Sequence, residues 1–171
     1  MIFYKKIKVK KGGELFIEGG SVLPAGPERW HGIEVLGNPD AAQYPYSNQG
    51  YFKMTDGIIA NSRMGVYTHK EENGEYIAGY EGGVVQIDGS INSTMFYNNI
   101  YQITIHGNNL LEALSESYIK GAYFSYSEKY NYDTLHTKNH ISLLDDDLIE
   151  LESLFISGFG TTNPTPNKTG T

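Results

Sequence analysis

Ile91-Asn92-Ser93-Thr94-Met95-Phe96, and after it Tyr101-Gln102-Ile103-Thr104-Ile105, decide the fold. The first string opens on an apolar residue, passes through small or polar residues and closes on an apolar pair. The second alternates apolar with polar residues, the period of a strand with one buried face. The first string recurs as Met54-Thr55-Asp56-Gly57-Ile58-Ile59, as Ile119-Lys120-Gly121-Ala122-Tyr123-Phe124, as Leu151-Glu152-Ser153-Leu154-Phe155, and more weakly as Ile17-Glu18-Gly19-Gly20-Ser21-Val22. Its last residues fall at 22, 59, 96, 124 and 155, giving steps of 37, 37, 28 and 31 residues. The second recurs as Gly32-Ile33-Glu34-Val35, Gly65-Val66-Tyr67 and His140-Ile141-Ser142-Leu143. A looser strand precedes the first string at Glu14 to Ile17, Tyr51 to Met54 and Gly83 to Ile87.

Strings that interleave in fixed order at such a period are the signature of a solenoid. No single coil can bury its apolar face, so stacking supplies the core. The expected fold is all-β, a right-handed single-stranded parallel β-helix of about five coils over residues 1–160. Ile33, Val66, Ile103 and Ile141 should form one internal column, and Ile59, Phe96, Phe124 and Phe155 another. Gly and Asn at the corners supply the backbone angles of tight turns. The variable lengths fall in loops at Asn38 to Gln49, Lys70 to Tyr80 and Ser125 to Asn139. Asn108 to Glu116 is the best helical candidate, with asparagine as N-cap, and it is about two turns long.

The remaining composition narrows the function. The chain has 171 residues, 20 glycines, 14 tyrosines and no cysteine, which excludes disulfides and thiolate metal sites. A net charge of −7 argues against nucleic acid as a partner. No apolar run is long enough to span a membrane, and the opening residues do not read as a signal peptide. Lys5 to Lys11 alternates lysine with isoleucine and valine, the pattern of a charged edge strand, so residues 1–11 are expected to cap the N-terminal end. Residues 161–171 are a polar Pro/Thr tail or linker. With no cap visible before that tail, the chain is expected to pair end to end with itself or to continue into a larger parent protein.

Glu14-Leu15-Phe16-Ile17-Glu18-Gly19-Gly20-Ser21-Val22-Leu23, followed by Arg29-Trp30-His31-Gly32-Ile33-Glu34-Val35-Leu36-Gly37-Asn38, resembles the opening coil of right-handed parallel β-helix, pectin-lyase-like repeat proteins of the Bacteroidota. Gly82-Gly83-Val84-Val85 and Phe96-Tyr97-Asn98-Asn99 carry the same resemblance, which extends over roughly residues 12 to 160. It implies large secreted proteins exported to the cell surface, hence an extracellular or cell-surface location.

The chemistry-bearing residues point away from catalysis. β-Helix polysaccharide lyases pair a Lys or Arg with carboxylates to neutralise a uronate and remove its C5 proton. The only arginines here are Arg29 and Arg63, and neither stacks with carboxylates. Asp56 and Asp88 sit at different offsets from the apolar anchors, against a paired-carboxylate hydrolase site. Asp145-Asp146-Asp147 reads as a solvated acidic turn. His31, His106 and His140 flank the second recurring strand as corner residues, and Trp30 suits a core or lid position on the first coil. No metal or cofactor is expected.

Tyrosines crowd the loops. Aromatic faces stack on sugar rings, and they also cover a solenoid flank or serve a protein interface. The candidate ligand-binding residues are Tyr44, Tyr46, Tyr76, Tyr80, Tyr126, Tyr130 and Tyr132. The expected function is a non-catalytic binding or scaffold module of a secreted bacterial surface protein, adhesin-like or facing carbohydrate. The partner would be a glycan or a surface protein, and the alternative is a β-helix polysaccharide lyase or glycoside hydrolase.

Overall fold

Apart from one hairpin, successive strands of this chain do not pair with each other; each pairs with the strand one turn earlier or later. The computed structural model describes residues 5–89, 93–110, 115–126, 139–144 and 149–158. β1 (Lys6–Val9) leads into β2 (Glu14–Glu18), β3 (Ser21–Val22) and β4 (Trp30–Val35). The next turn is β5 (Tyr51–Thr55), β6 (Gly57–Ala60) and β7 (Ser62–Tyr67). A hairpin of β8 (Lys70–Glu72) and β9 (Glu75–Ile77) precedes β10 (Val84–Asp88), β11 (Thr94–Tyr97) and β12 (Tyr101–His106). β13 (Tyr118–Lys120), β14 (Tyr123–Tyr126), β15 (Asn139–Leu144), β16 (Glu150–Glu152) and β17 (Phe155–Gly158) follow.

These strands stack into three five-stranded sheets. Sheet A runs β1-β4-β7-β12-β15, sheet B β2-β5-β10-β13-β16, and sheet C β3-β6-β11-β14-β17. Every pairing within them is parallel, and among the described residues only the β8–β9 hairpin is antiparallel. The fold is the expected parallel β-solenoid. About three turns follow the full plan, fewer than the five coils expected, and short strands at both ends extend the sheets.

The register shows why the repeats are apolar where they are. Ile33, Val66, Ile103 and Ile141 are successive partners in sheet A, as expected. Val22, Ile59, Phe96 and Phe124 are successive partners in sheet C. Ile17, Met54, Ile87 and Ile119 complete the core from sheet B, and Leu151, the next partner in the row, is exposed at the end of the stack. Phe96 and Phe124 are fully buried and stack at 5.3 Å, 15° from parallel.

Two expectations are corrected. Phe155 does not continue the Phe124 column: Phe155 pairs with Tyr123, and Ile156 takes the place opposite Phe124. The reason is the five-position step that tight corners between sheets B and C share. Five positions separate Met54 from Ile59 and Ile119 from Phe124, so Leu151 leads to Ile156. The expected loop from Lys70 to Tyr80 contains the β8–β9 hairpin, whose turn is made by Asn73 and Gly74 at positive φ. The Asn-Gly pair is the strongest short hairpin signal. The described part of Asn108 to Glu116 holds no helix, and residues 111–114 lie outside the described residues.

Several of the described corners are closed by one or two residues at positive φ. Asp56 and Gly57 turn sheet B into sheet C, as Gly121 does two turns later. Asn61 and Asn98 turn sheet C into sheet A with φ near 55°. Asparagine tolerates this conformation because its short polar side chain bonds locally. Here the bond runs along the stack, with Asn98 Nδ2 donating to Asn61 Oδ1 at 2.8 Å. The buried Asn99 beside it accepts from Ser62 N and Oγ and donates to the Ile59 carbonyl, bracing two turns at once. Trp30 is in the core, as expected for its position, and its Nε1 donates to the Ala60 carbonyl at 2.9 Å.

Candidate functional site

With every inward position taken by the core, chemistry is confined to the outer faces of the sheets. Two of these faces carry organised groups.

On sheet A the outward row is Lys8, Glu34, Tyr67, Thr104 and Ser142, each opposite the next. Glu34 is fully buried. Lys6 and Lys8 reach its two oxygens at 2.6 and 3.0 Å. Besides charging the edge strand, Lys6 and Lys8 therefore neutralise a buried carboxylate on the neighbouring strand, with Lys8 itself exposed. The β8–β9 hairpin lies over this row. Glu71 N donates to Glu34 Oε1 at 3.1 Å, and Lys6 Nζ donates to the Glu71 carbonyl at 2.9 Å. His31 Nε2 stands 3.5 Å from the Glu71 carboxylate, which this contact holds below the usual carboxylate range. Tyr76 packs against His69 and His106 at 5.5 and 5.2 Å, and its hydroxyl donates to Glu81.

Two buried groups in this cluster are held in their neutral forms. Burial pushes the Tyr67 hydroxyl well above its ordinary value, with Glu34 and Glu71 adding to the effect, so it stays protonated. Burial also lowers His69 to about 4, helped by His106 and opposed by the nearby glutamates, so its imidazole is neutral. Neither is poised for proton transfer near neutral pH. Among the described residues no group of three or more His, Asp or Glu is arranged to hold a metal ion.

The neutral His69 has a consequence for stability. Its folded-state pKa lies below the ordinary 6.5, so its contribution is full above that value and is lost as pH falls towards 4. The loss reaches on the order of 3 kcal/mol once both states are protonated. Glu71 acts in the same direction at lower pH, and His140, also lowered by burial, adds to the histidine window. Urea midpoints measured from pH 7 to 4 should fall steeply for the native chain and less steeply for His69→Phe. Equal slopes would show that His69 is not held neutral.

Sheet B carries a different surface. Its central outward row is Phe16, Lys53, Gln86, Tyr118 and Glu150, in register across all five strands. Tyr51, two residues before Lys53, makes a T-shaped contact with Phe16, their ring centres 5.7 Å apart. The loop before β5 folds back on it: Tyr46 stacks on Tyr51 at 4.5 Å and 12°, and Tyr44 meets Tyr46 edge-on at 5.6 Å. Tyr51 is locked by its hydroxyl, which donates to Gln86 Oε1 at 2.7 Å, while Gln86 Nε2 donates to the Glu116 carbonyl. Burial raises the Tyr51 hydroxyl to about 12, so it remains a donor. The buried tyrosine is thus the base of a platform whose outer rings meet water: Tyr44 is 67% and Phe16 50% exposed.

The candidate tyrosines therefore do not form one site. Tyr44 and Tyr46 come together on sheet B. Tyr76 turns towards the histidines of sheet A, and Tyr80 lies at a corner beneath Lys11 and Lys70, whose Nζ atoms are 5.5 and 4.5 Å from its ring centre. Tyr126 ends β14 on sheet C, and Tyr130 and Tyr132 lie outside the described residues. Phe16, Tyr51 and Tyr118 were not among the candidate site residues: Phe16 lies inside a strand string, Tyr51 stands where a loop meets a strand, and Tyr118 was not singled out. The usable signal was their parity: Phe16 alternates with the inward Leu15 and Ile17.

No protein-family model, curated protein or solved structure matches this chain. The functional reading therefore rests on the geometry of these faces. Asp56 is a corner residue that accepts from Ser93 Oγ at 2.6 Å, and Asp88 is exposed at the end of β10. Among the described residues no helix is long and apolar enough to cross a membrane.

Proposed function

We propose that this chain is a non-catalytic carbohydrate-binding module of a secreted, surface-located bacterial protein, and that the outer face of sheet B is its binding surface. One observation carries the reading: the aromatic platform of Phe16, Tyr44 and Tyr46 built on the buried Tyr51, held rigid by the Tyr51–Gln86 hydrogen bond and open to water at Phe16 and Tyr44. Planar rings fixed before the ligand arrives lose little entropy on binding, and their faces suit the apolar faces of sugars. The secreted, surface location rests on the resemblance to β-helix repeat proteins of the Bacteroidota, and the pectin-lyase-like affiliation belongs to the same proposal.

Affinity electrophoresis through gels loaded with β-glucan, xylan, galactomannan, pectate or alginate tests it. At least one polysaccharide should retard the protein. Phe16→Ala combined with Tyr44→Ala should weaken that retardation about tenfold or more, equivalent to about 1.4 kcal/mol. Thermal stability should be nearly unchanged, because both side chains are surface groups. Retention that ignores both substitutions would move the site elsewhere, and no retardation by any glycan would remove the proposal. Incubation with pectate, alginate and chondroitin should produce no unsaturated uronate absorbance. Turnover abolished by changing Arg63 or Asp88 would establish the lyase alternative instead.

A further inference from the structure

We infer that the glycan taken by sheet B is an uncharged chain lying across the strands, and that polyuronates are rejected. This rests on the carbohydrate-binding reading and specifies its ligand class.

The direction follows from the register. Phe16 and Tyr118 belong to one row and lie three strand steps apart, about 14 Å at the usual spacing of paired strands. Tyr51 and its stacked partner Tyr46 flank the row between them. Aromatic groups thus follow the stacking direction of the solenoid, at a length that suits an oligosaccharide better than a single sugar.

The charge follows from what borders the rings. Glu14 and Glu18 flank Phe16 on β2, Asp88 ends β10, Glu116 precedes Tyr118, and Glu150 and Glu152 lie on β16. The cations on this face are Lys53 and Lys120, and Lys120 is already engaged by Glu150 at 2.9 Å and Glu152 at 4.0 Å. Six carboxylates against two lysines leave the face strongly negative. Carboxylates only accept hydrogen bonds, and sugar hydroxyls donate them, so a neutral glycan gains charge-assisted contacts at the edge of the platform. A uronate chain would place its own carboxylates in the same field and be repelled.

Titration calorimetry with cellohexaose and with hexagalacturonate, at about 50 mM and about 500 mM salt, tests the assignment. The neutral hexamer should bind with an affinity that changes less than about twofold with salt, since no ion pairs are screened. The uronate should bind at least tenfold more weakly at low salt and recover in part at high salt. Reversing charge with Glu14→Lys and Glu18→Lys should raise uronate affinity at least tenfold. Uronate binding equal to or tighter than that of the neutral hexamer would overturn the assignment while leaving a carbohydrate module standing. Failure of both hexamers to bind would overturn the assignment, and together with no retardation by any of the five polysaccharides it would overturn the carbohydrate reading as well.

Discussion

Replacing Phe96 by alanine should lower the unfolding free energy by about 3–5 kcal/mol. Phe96 is fully buried at the middle of its column, opposite Ile59 on one side and Phe124 on the other. Truncation removes ring contacts to both neighbouring turns, and the solenoid backbone cannot collapse into the gap because corner residues and ladders on three sheets fix the turn spacing. For a chain of this length the loss corresponds to a melting temperature lower by roughly 6–20 °C. A loss under about 1 kcal/mol would mean that the column is not the core. The same change at Ile156, which is 54% exposed, should be nearly silent.

Gly32→Ala should be worse still, because no rotamer can relieve it. Gly32 lies in β4 at φ +125°, where the register to β7 shifts. A Cβ there would stand 1.4 Å from the Met64 carbonyl oxygen, so β4 and β7 must separate. That breaks a ladder in sheet A and disturbs the Glu34–Tyr67 row beneath the hairpin. We expect destabilisation on the order of 4 kcal/mol or more, read as loss of cooperative unfolding or of soluble protein. Gly19→Ala separates space from backbone angle. Its Cβ would meet nothing within 4 Å, yet φ is +78°, so it should cost only about 1–2 kcal/mol. Equal melting temperatures for the two variants would refute the close approach of β4 to β7.

Much of the fold was legible because a parallel solenoid writes its stacking into one-dimensional spacing. Ile33, Val66, Ile103 and Ile141 share an alternating strand context and a nearly constant period, and they stack as expected. Phe155 shows where such reading fails. It is as apolar as its neighbour Ile156, and only the five-position step from the preceding sheet separates them. The strings also mislead at Ile91, because the inward partner of Met54 is Ile87, with a longer corner following it. The hairpin was hidden because Lys70 to Ile77 is polar, although Asn73-Gly74 marked its turn.

The site was less legible than the fold for a geometric reason. Loop tyrosines are visible as a composition, but the three outer faces separate residues that the sequence lists together. Tyr44 and Tyr76 lie on different sheets, while Phe16 and Tyr118, about a hundred residues apart, share one row. The burial of Glu34 was equally invisible, since its partners Lys6 and Lys8 were read as a solvated edge.

The binding face of sheet B is tested most directly by recording two-dimensional amide spectra while titrating in cellohexaose. Saturable shifts should concentrate at Phe16, Tyr46, Tyr51, Gln86 and Tyr118, with Tyr67, His69 and Tyr76 on sheet A unmoved. Shifts confined to sheet A, or none at millimolar hexamer, would contradict the account.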